Sequence, residues 1–397
     1  MKKKLLLLNI PLFATATAFL PISCSLDKEE DKDEHFENLK SASWDKEVQI
    51  QVKTPWSTVD IDTYSDNIER EFNRLKNNDQ FLKSKPDINV IVNKETSDDK
   101  ILVQNVEAKK FDFAISSISS VNNAKKSLIS PKLQTLTNAF KFDKTLTYYK
   151  DGNENGDELK KIAEAQNTLF HETLHKNLEN DDSKWTGSIY RKFYDFSTKV
   201  NFYRGMIWIA GADEEVNAIK DAWRDKDWAG FKSFGILHGN KKSGGKFILQ
   251  EKLLKKHFGK NAFTTLAEEI TNFPNNFREA GSKTMIETIT EYKIAFDYEG
   301  SFAWTKNQDR DSNILTYYDA QNMQVLVVTE PLKYDIGYYR NDFDLLQANL
   351  LTKAIINLTE KSTSEDIYGP TIGYNGYEKI NDIYEDVERP YREVTSA

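Results

Sequence analysis

The chain has 397 residues, enough for two lobes that each bury a core of their own. Hydrophobic residues make up 39% and charged residues 29%, the balance of a soluble globular fold. A net charge of −8 argues against a nucleic-acid binder, which needs a basic stripe, and the 12% aromatic share supplies stacking surface as well as core.

The chain opens MKKKLLLLNIPLFATATAFLPISC, three lysines and an apolar run ending at Cys24. That is a secretory signal layout, too short for a membrane span ahead of a folded domain. Ile22-Ser23-Cys24 resembles the end of a bacterial lipobox, with Pro21 where leucine is usual. Residues 1–23 are thus expected to be a signal peptide and Cys24 to carry diacylglycerol and palmitate, placing the mature protein on the extracellular face of the cell membrane. No other cysteine is present, so neither a disulfide nor a cysteine zinc site is available. Residues 24–45, rich in Asp, Glu and Lys, read as a disordered lipid-anchored tether.

From residue 46 the pattern alternates. EVQIQV (47–52) predicts a strand, TYSDNIEREFNRLKNN an amphipathic helix, INVIVNK (88–94) a second strand, and ILVQNVEAKKFDFAISSIS a short helix and a third strand ending at Ile115. This β-α-β-α-β run points to a doubly wound parallel sheet, whose ligands sit at the carboxyl ends of its strands. Those ends carry KTPWS, with Trp56, and the run Ser116, Ser117, Ser119, Ser120, whose hydroxyls and free amides suit either an anion or a simple helix cap.

Residues 143–199 read as a polar insertion. Within it FHETLHKN holds His171, Glu172 and His175 in the H-E-x-x-H order of a zinc peptidase. A third ligand is wanting, because Leu178 and Asp181 stand where the metzincin continuation needs Gly and His. The expectation is a solvated helix, no metal and no enzyme.

VNFYRGMIWIAG (200–211) predicts a strand crossing to a second lobe, MQVLVVTEPLKYDIGYYR (323–340) a strand and a return crossing, and 341–360 and 376–389 two helical stretches. The boundaries expected are lobe 1 over 46–208, lobe 2 over 209–335, and lobe 1 again over 336–397. Tyr203 and Arg204 fall on the first crossing at the cleft lip, where an arginine can grip phosphate bidentately. KKSGGKFILQEKLL offers Ser243 and two glycines ahead of a helix, and GSFAWT offers Ser301 and Trp304 after a strand.

NFYRGMIWI, AWRDKDWAGFKSFGILHG, EGSFAWT, YDIGYYR and YGPTIGYNGY resemble the mycoplasma high-affinity transport-system lipoproteins, the extracytoplasmic thiamine-binding lipoproteins of the PhnD-like group of ABC-transporter receptors. The resemblance implies an α/β bilobal type II periplasmic-binding-protein fold, two doubly wound lobes joined by crossing strands. It implies a monomeric substrate-binding protein that takes thiamine or thiamine diphosphate in its interlobe cleft and delivers it to an ABC permease and ATPase, with no cofactor of its own. Ring faces would come from Trp56, Tyr203 and Trp304, and a carboxylate for the amino group or the thiazolium from Asp335. Phosphate contacts would come from Ser116, Ser117, Ser119, Arg204, Ser243 and Ser301. The alternatives are a receptor for a phosphonate or other organophosphate, and a surface zinc metallopeptidase at the HETLH motif.

Overall fold

The computed structural model describes residues 43–55, 58–94, 96–152, 156–172, 193–281, 291–301, 322–360 and 365–395, the side chains of 170–172 excepted. From Trp44 onward the chain forms one compact unit. Strand β1 (Glu47–Gln51) turns Val48 and Ile50 inward. It feeds helix α1 (Ile61–Asn78), which starts where the Asp60 carboxylate accepts the Thr63 N–H at 3.1 Å and buries Tyr64, Ile68 and Phe72 one turn apart. Next come β2 (Asn89–Asn93), α2 (Asp99–Glu107), capped by Asp98, and β3 (Phe113–Ser116). A short α3 (Ile118–Asn122) and the long strand β4 (Ile129–Phe140) follow, then α4 (Glu158–Glu172) and β5 (Tyr194–Val200).

The chain crosses as β6 (Phe202–Tyr203) into β7 (Gly205–Ile209), followed by α5 (Asp213–Arg224), α6 (Trp228–Ser233) and β8 (Ile236–His238). A wide helical turn over Gly244–Ile248 runs straight into α7 (Leu249–Phe258). Helix α8 (Leu266–Asn272) and strands β9 (Phe277–Glu279), β10 (Ile294–Tyr298) and β11 (Gln324–Val328) complete that side. The return runs through β12 (Leu332–Lys333) to β13 (Ile336–Arg340), α9 (Leu345–Glu360), α10 (Gly369–Ile372), β14 (Gly376–Lys379) and α11 (Arg389–Thr395).

Two sheets result. The first has the order β14-β4-β13-β3-β1-β2, with β5 added on β4; the second has the order β11-β7-β10-β8-β9. β1 lies parallel to β2 and β3, whereas β13 runs antiparallel to both β3 and β4. In the second sheet β7 has all five positions buried, as a central strand covered on both faces must. Between the sheets β6 and β12 pair antiparallel, Tyr203 opposite Leu332, forming the two-stranded ribbon by which the chain crosses and returns. The expected bilobal α/β fold is the fold observed.

Three local expectations are corrected. The described residues of 143–199 are not a polar excursion: α4 lays Leu159, Ile162 and Ala163 into the core of the second sheet, and β5 pairs with β4 of the first. The spacing of Leu159, Ile162 and Ala163, continued by the buried amide of Gln166, is a helical stripe masked by the charges around it. Asn167 sits against β11, donating to the Val325 carbonyl at 2.9 Å and accepting from its N–H at 2.8 Å, which satisfies edge-strand groups. Residues 376–379 form a strand rather than the start of a helix. The second sheet begins at Gly205, so a boundary after residue 208 would cut β7.

His257 is buried in the second lobe, its ring stacked on Trp223 at 3.7 Å. Its Nε2 lies 2.7 Å from the Trp223 carbonyl and its Nδ1 3.1 Å from the Tyr149 hydroxyl, partners that suit the neutral ring. Burial pushes its pKa down from 6.5 to about 4. Because the unfolded chain binds the proton first, this contribution to stability is complete above pH 6.5 and is lost as pH falls toward 4. The expected loss at pH 4 is on the order of 3 kcal/mol. Urea unfolding of wild type and His257→Gln at pH 7.5, 5.5 and 4 tests it. The stability gap between the two proteins should narrow as pH falls, and a constant gap would contradict the assignment.

Candidate functional site

A cleft of about 1830 Å³ opens between the two sheets. Its lobe-1 wall includes Lys53, Asp99, Ser117 and Phe140, its lobe-2 wall Lys242, Ser243, Gly244 and Tyr298, and Tyr203, Tyr334 and Asp335 reach it from the ribbon. The strand ends thus deliver side chains to one place, as doubly wound sheets do.

At the ribbon the rings gather. Tyr203 lies 5.2 Å from Tyr334 and 5.8 Å from Tyr298, centre to centre. The glycines of the second-lobe loop let a helix entrance come up against these rings. A Cβ on Gly244 would stand 2.3 Å from the Tyr203 hydroxyl, and one on Gly245 would stand 2.2 Å from the Tyr298 ring. Ser243 precedes the helix without capping it by its side chain, and its Oγ is 3.4 Å from the Tyr298 hydroxyl. The first-turn amides of Gly244–Phe258 have no carbonyl a turn earlier to bond, so they face outward as donors. Lys241 and Lys242 stand exposed just ahead, with no ion-pair partner among the described residues. Amides, a hydroxyl and two ammonium groups at one helix entrance are a donor set that could hold an anion, an anion cradle in chemical terms.

The opposite wall carries a charge cluster. Lys53 Nζ lies 2.6 Å from Asp335 and 2.8 Å from Asp99, and the Tyr374 hydroxyl donates to Asp335 at 2.6 Å. Burial works to lower the Lys53 pKa, but the two carboxylates outweigh it and hold the ammonium above its usual range.

The residues singled out from sequence divide sharply. Tyr203, Arg204, Ser243 and Asp335 border the cleft together, and Ser117 and Ser119 border it on the first-lobe side. For Ser116 and Ser117 the expected phosphate role is corrected. The Ser117 N–H donates to the Asp99 carboxylate at 3.0 Å and its hydroxyl to Ser120 at 3.2 Å, so a negative group already sits where the anion was expected. Ser116 is fully buried, its Oγ 2.7 Å from the Tyr338 hydroxyl. Ser301 is also fully buried and accepts the Trp208 indole N–H at 3.2 Å. Both hydroxyls serve the cores.

Arg204 is corrected as well. It is 0% exposed, and its Nε donates to Asp143 at 2.7 Å. The remaining donors go to the carbonyls of Thr145, Thr147 and Thr329, the Thr147 hydroxyl and the second Asp143 oxygen. No N–H is left for a ligand phosphate, and the guanidinium instead pins the 143–147 loop to the ribbon. Trp56, Trp304, Cys24 and His175 lie outside the described residues, as do the side chains of His171 and Glu172. Sequence reasoning missed Lys53, Tyr298, Tyr334 and Tyr374. All four lay in or beside quoted signals: Lys53 opens KTPWS, Tyr298 stands three residues before Ser301, Tyr334 opens YDIGYYR and Tyr374 lies within YGPTIGYNGY.

The family model of the extracytoplasmic thiamine-binding lipoproteins matches residues 62–395. The chain is 37% identical over 392 residues to the high affinity transport system protein p37 of Mesomycoplasma hyorhinis, covering 94% of each chain. It is 35% identical over 336 residues to the protein of the same name in Mycoplasma pneumoniae, covering 81% of this chain and 85% of that one. Among solved structures, that of the Mycoplasma hyorhinis protein Mh-p37, a proposed thiamine pyrophosphate transporter, superposes with a TM-score of 0.80 at 36% identity, covering 89% of this chain and all of the other.

Proposed function

The chain belongs to the extracytoplasmic thiamine-binding lipoprotein family, and from that premise we propose that it binds thiamine diphosphate, or thiamine itself, in the interlobe cleft and delivers it to an ABC importer. No bond is made or broken, and the diphosphate is cargo rather than cofactor. The observation that carries the proposal is the pairing of two unlike surfaces in one cleft. The anion cradle at Lys241–Gly245 abuts the rings of Tyr203, Tyr298 and Tyr334, and Asp335 lies beside them. Thiamine diphosphate has the matching parts: an anionic tail, a cationic thiazolium and a flat aminopyrimidine. Ring–cation attraction supplies about 0.5–2 kcal/mol per well-placed ring. Charge-assisted hydrogen bonds from amides and ammonium groups hold the tail.

Contacts drawn from both lobes favour the closed form by as much as the ligand prefers it over the open one. Small-angle scattering of ligand-stripped protein tests this. The radius of gyration should fall on adding thiamine diphosphate, and an unchanged profile at saturation would contradict closure on ligand.

The importer's location requires the protein to stay outside the cell, and an anchor at Cys24 supplies that. Two acyl chains hold stably where one is marginal. Cys24→Ser should leave the detergent phase for the aqueous phase or persist as uncleaved precursor. A cleaved Cys24→Ser protein that still partitions into detergent would refute the anchor.

A further inference from the structure

A fully buried glutamine ties the anion cradle to the second sheet. Gln250 stands in the first turn of α7 and is 0% exposed. Its Nε2 donates to the Gly245 carbonyl at 2.6 Å and to the Met206 and Asp297 carbonyls at 3.1 Å each. Met206 lies on β7 and Asp297 opposite it on β10, so one amide joins the cradle loop to two neighbouring strands. These partners fix its orientation, because a flipped amide would set an oxygen against three carbonyl oxygens. Its Oε1 has no hydrogen-bond partner among the described residues. An apolar side chain would avoid that burial cost, so the value of the amide lies in what its donors hold.

Two local features prepare this contact. The turn over Gly244–Ile248 is wider than an α-helix: the Leu249 N–H bonds the Gly244 carbonyl and the Ile248 N–H the Ser243 carbonyl. In an α-helix the Leu249 N–H would take the Gly245 carbonyl, the group that the Gln250 side chain takes here. The second feature is Gly205, opposite Tyr298 in the β7–β10 pair. A Cβ there would stand 2.3 Å from the Gln250 Nε2 and 2.8 Å from the Gly245 carbonyl oxygen, so the contact needs a residue without a side chain. Lys246 adds a tie from the same strand, its Nζ 3.1 Å from the Asp297 carboxylate.

We propose that Gln250 is the positioning residue of the anion cradle, holding the Gly245 carbonyl inward so that the amides at the helix entrance meet the diphosphate. This rests on the assignment of thiamine diphosphate as ligand, and it adds that the grip on the tail is set from inside the second lobe. Tyr203 and Tyr334 reach the cleft from the ribbon, so the ring end of the ligand keeps its contacts when the amide is lost. The tail alone feels the change.

Gln250→Met keeps the length and burial of the side chain and removes its donors. Calorimetry on ligand-stripped protein should show thiamine diphosphate weakened about tenfold, the scale of one buried hydrogen bond, and thiamine within about twofold of wild type. Gly205→Ala disturbs the same contact from β7 with Gln250 in place, should give the same split, and stands in if Gln250→Met does not fold. In the ligand-free proteins, hydrogen exchange of peptides spanning 243–250 should quicken in both variants while peptides of the first lobe keep the wild-type rate. A general loss of stability would quicken both regions. Equal falls for thiamine and its diphosphate, or unchanged exchange at 243–250, would overturn the proposal, as would wild-type diphosphate affinity in Gln250→Met. Wild-type protein that binds neither compound would instead overturn the ligand assignment, and the exchange measurement would still report whether Gln250 holds the loop.

Discussion

Arg204→Ala is expected to destabilise the fold by on the order of 3–5 kcal/mol, because it takes the guanidinium away from the buried Asp143 carboxyl with which it pairs. Arg204 and Asp143 are 0% and 2% exposed at their side chains, so water cannot take over the lost contacts. The carbonyls of Thr145, Thr147 and Thr329 would lose their donors in the same stroke. Arg204→Lys should recover only part of the loss, since one ammonium cannot reach six acceptors spread around a planar fork. Urea unfolding midpoints check this. A variant with the wild-type midpoint that had lost only its diphosphate affinity would return Arg204 to the phosphate role its sequence position suggested.

The second large effect is at Gly245. Gly245→Ala drives a methyl into the Tyr298 ring, 2.2 Å away, at the point where the helix entrance meets the aromatic cluster. Either the ring or the helix must move, and overpacking of this kind costs about 1–3 kcal/mol. Both moves spoil the cradle, so thiamine diphosphate affinity should fall on the order of 10- to 100-fold while the distant cores keep their packing. Titration calorimetry against a matched melting curve separates the two. Unchanged diphosphate affinity in Gly245→Ala would remove the Lys241–Gly245 loop from the site.

The fold was legible because its signals are local. Hydrophobic alternation placed β1, β2 and β3, the amphipathic stripe placed α1, and the apolar runs GMIWI and VLVV marked the strands β7 and β11. Helix α4 was missed because Lys160 and Lys161 between Leu159 and Ile162, with Glu158 and Glu164 on either side, made the stretch as polar on average as a surface loop, although the spacing was present. The site was less legible, since what a polar side chain does depends on partners far away in sequence. Lys53 meets Asp335 across 282 positions, and Arg204 meets Asp143 across 61. A serine after a strand reads alike whether it faces a cleft, as Ser117 does, or a tryptophan in the core, as Ser301 does. Only glycine carried its reason in the sequence, because two in a row before a helix signal close approach, and Gly244 and Gly245 are approached closely.

The central claim is that one cleft holds an anionic tail and an aromatic cation together. Titration of ligand-stripped wild-type protein with thiamine diphosphate, thiamine and methylphosphonate tests it most directly. One saturable site for thiamine diphosphate, weaker binding of thiamine, and no competition from methylphosphonate at equal concentration is the predicted result. Tight binding of methylphosphonate with no heat from either thiamine compound would contradict the account and make the chain a receptor for small phosphonates.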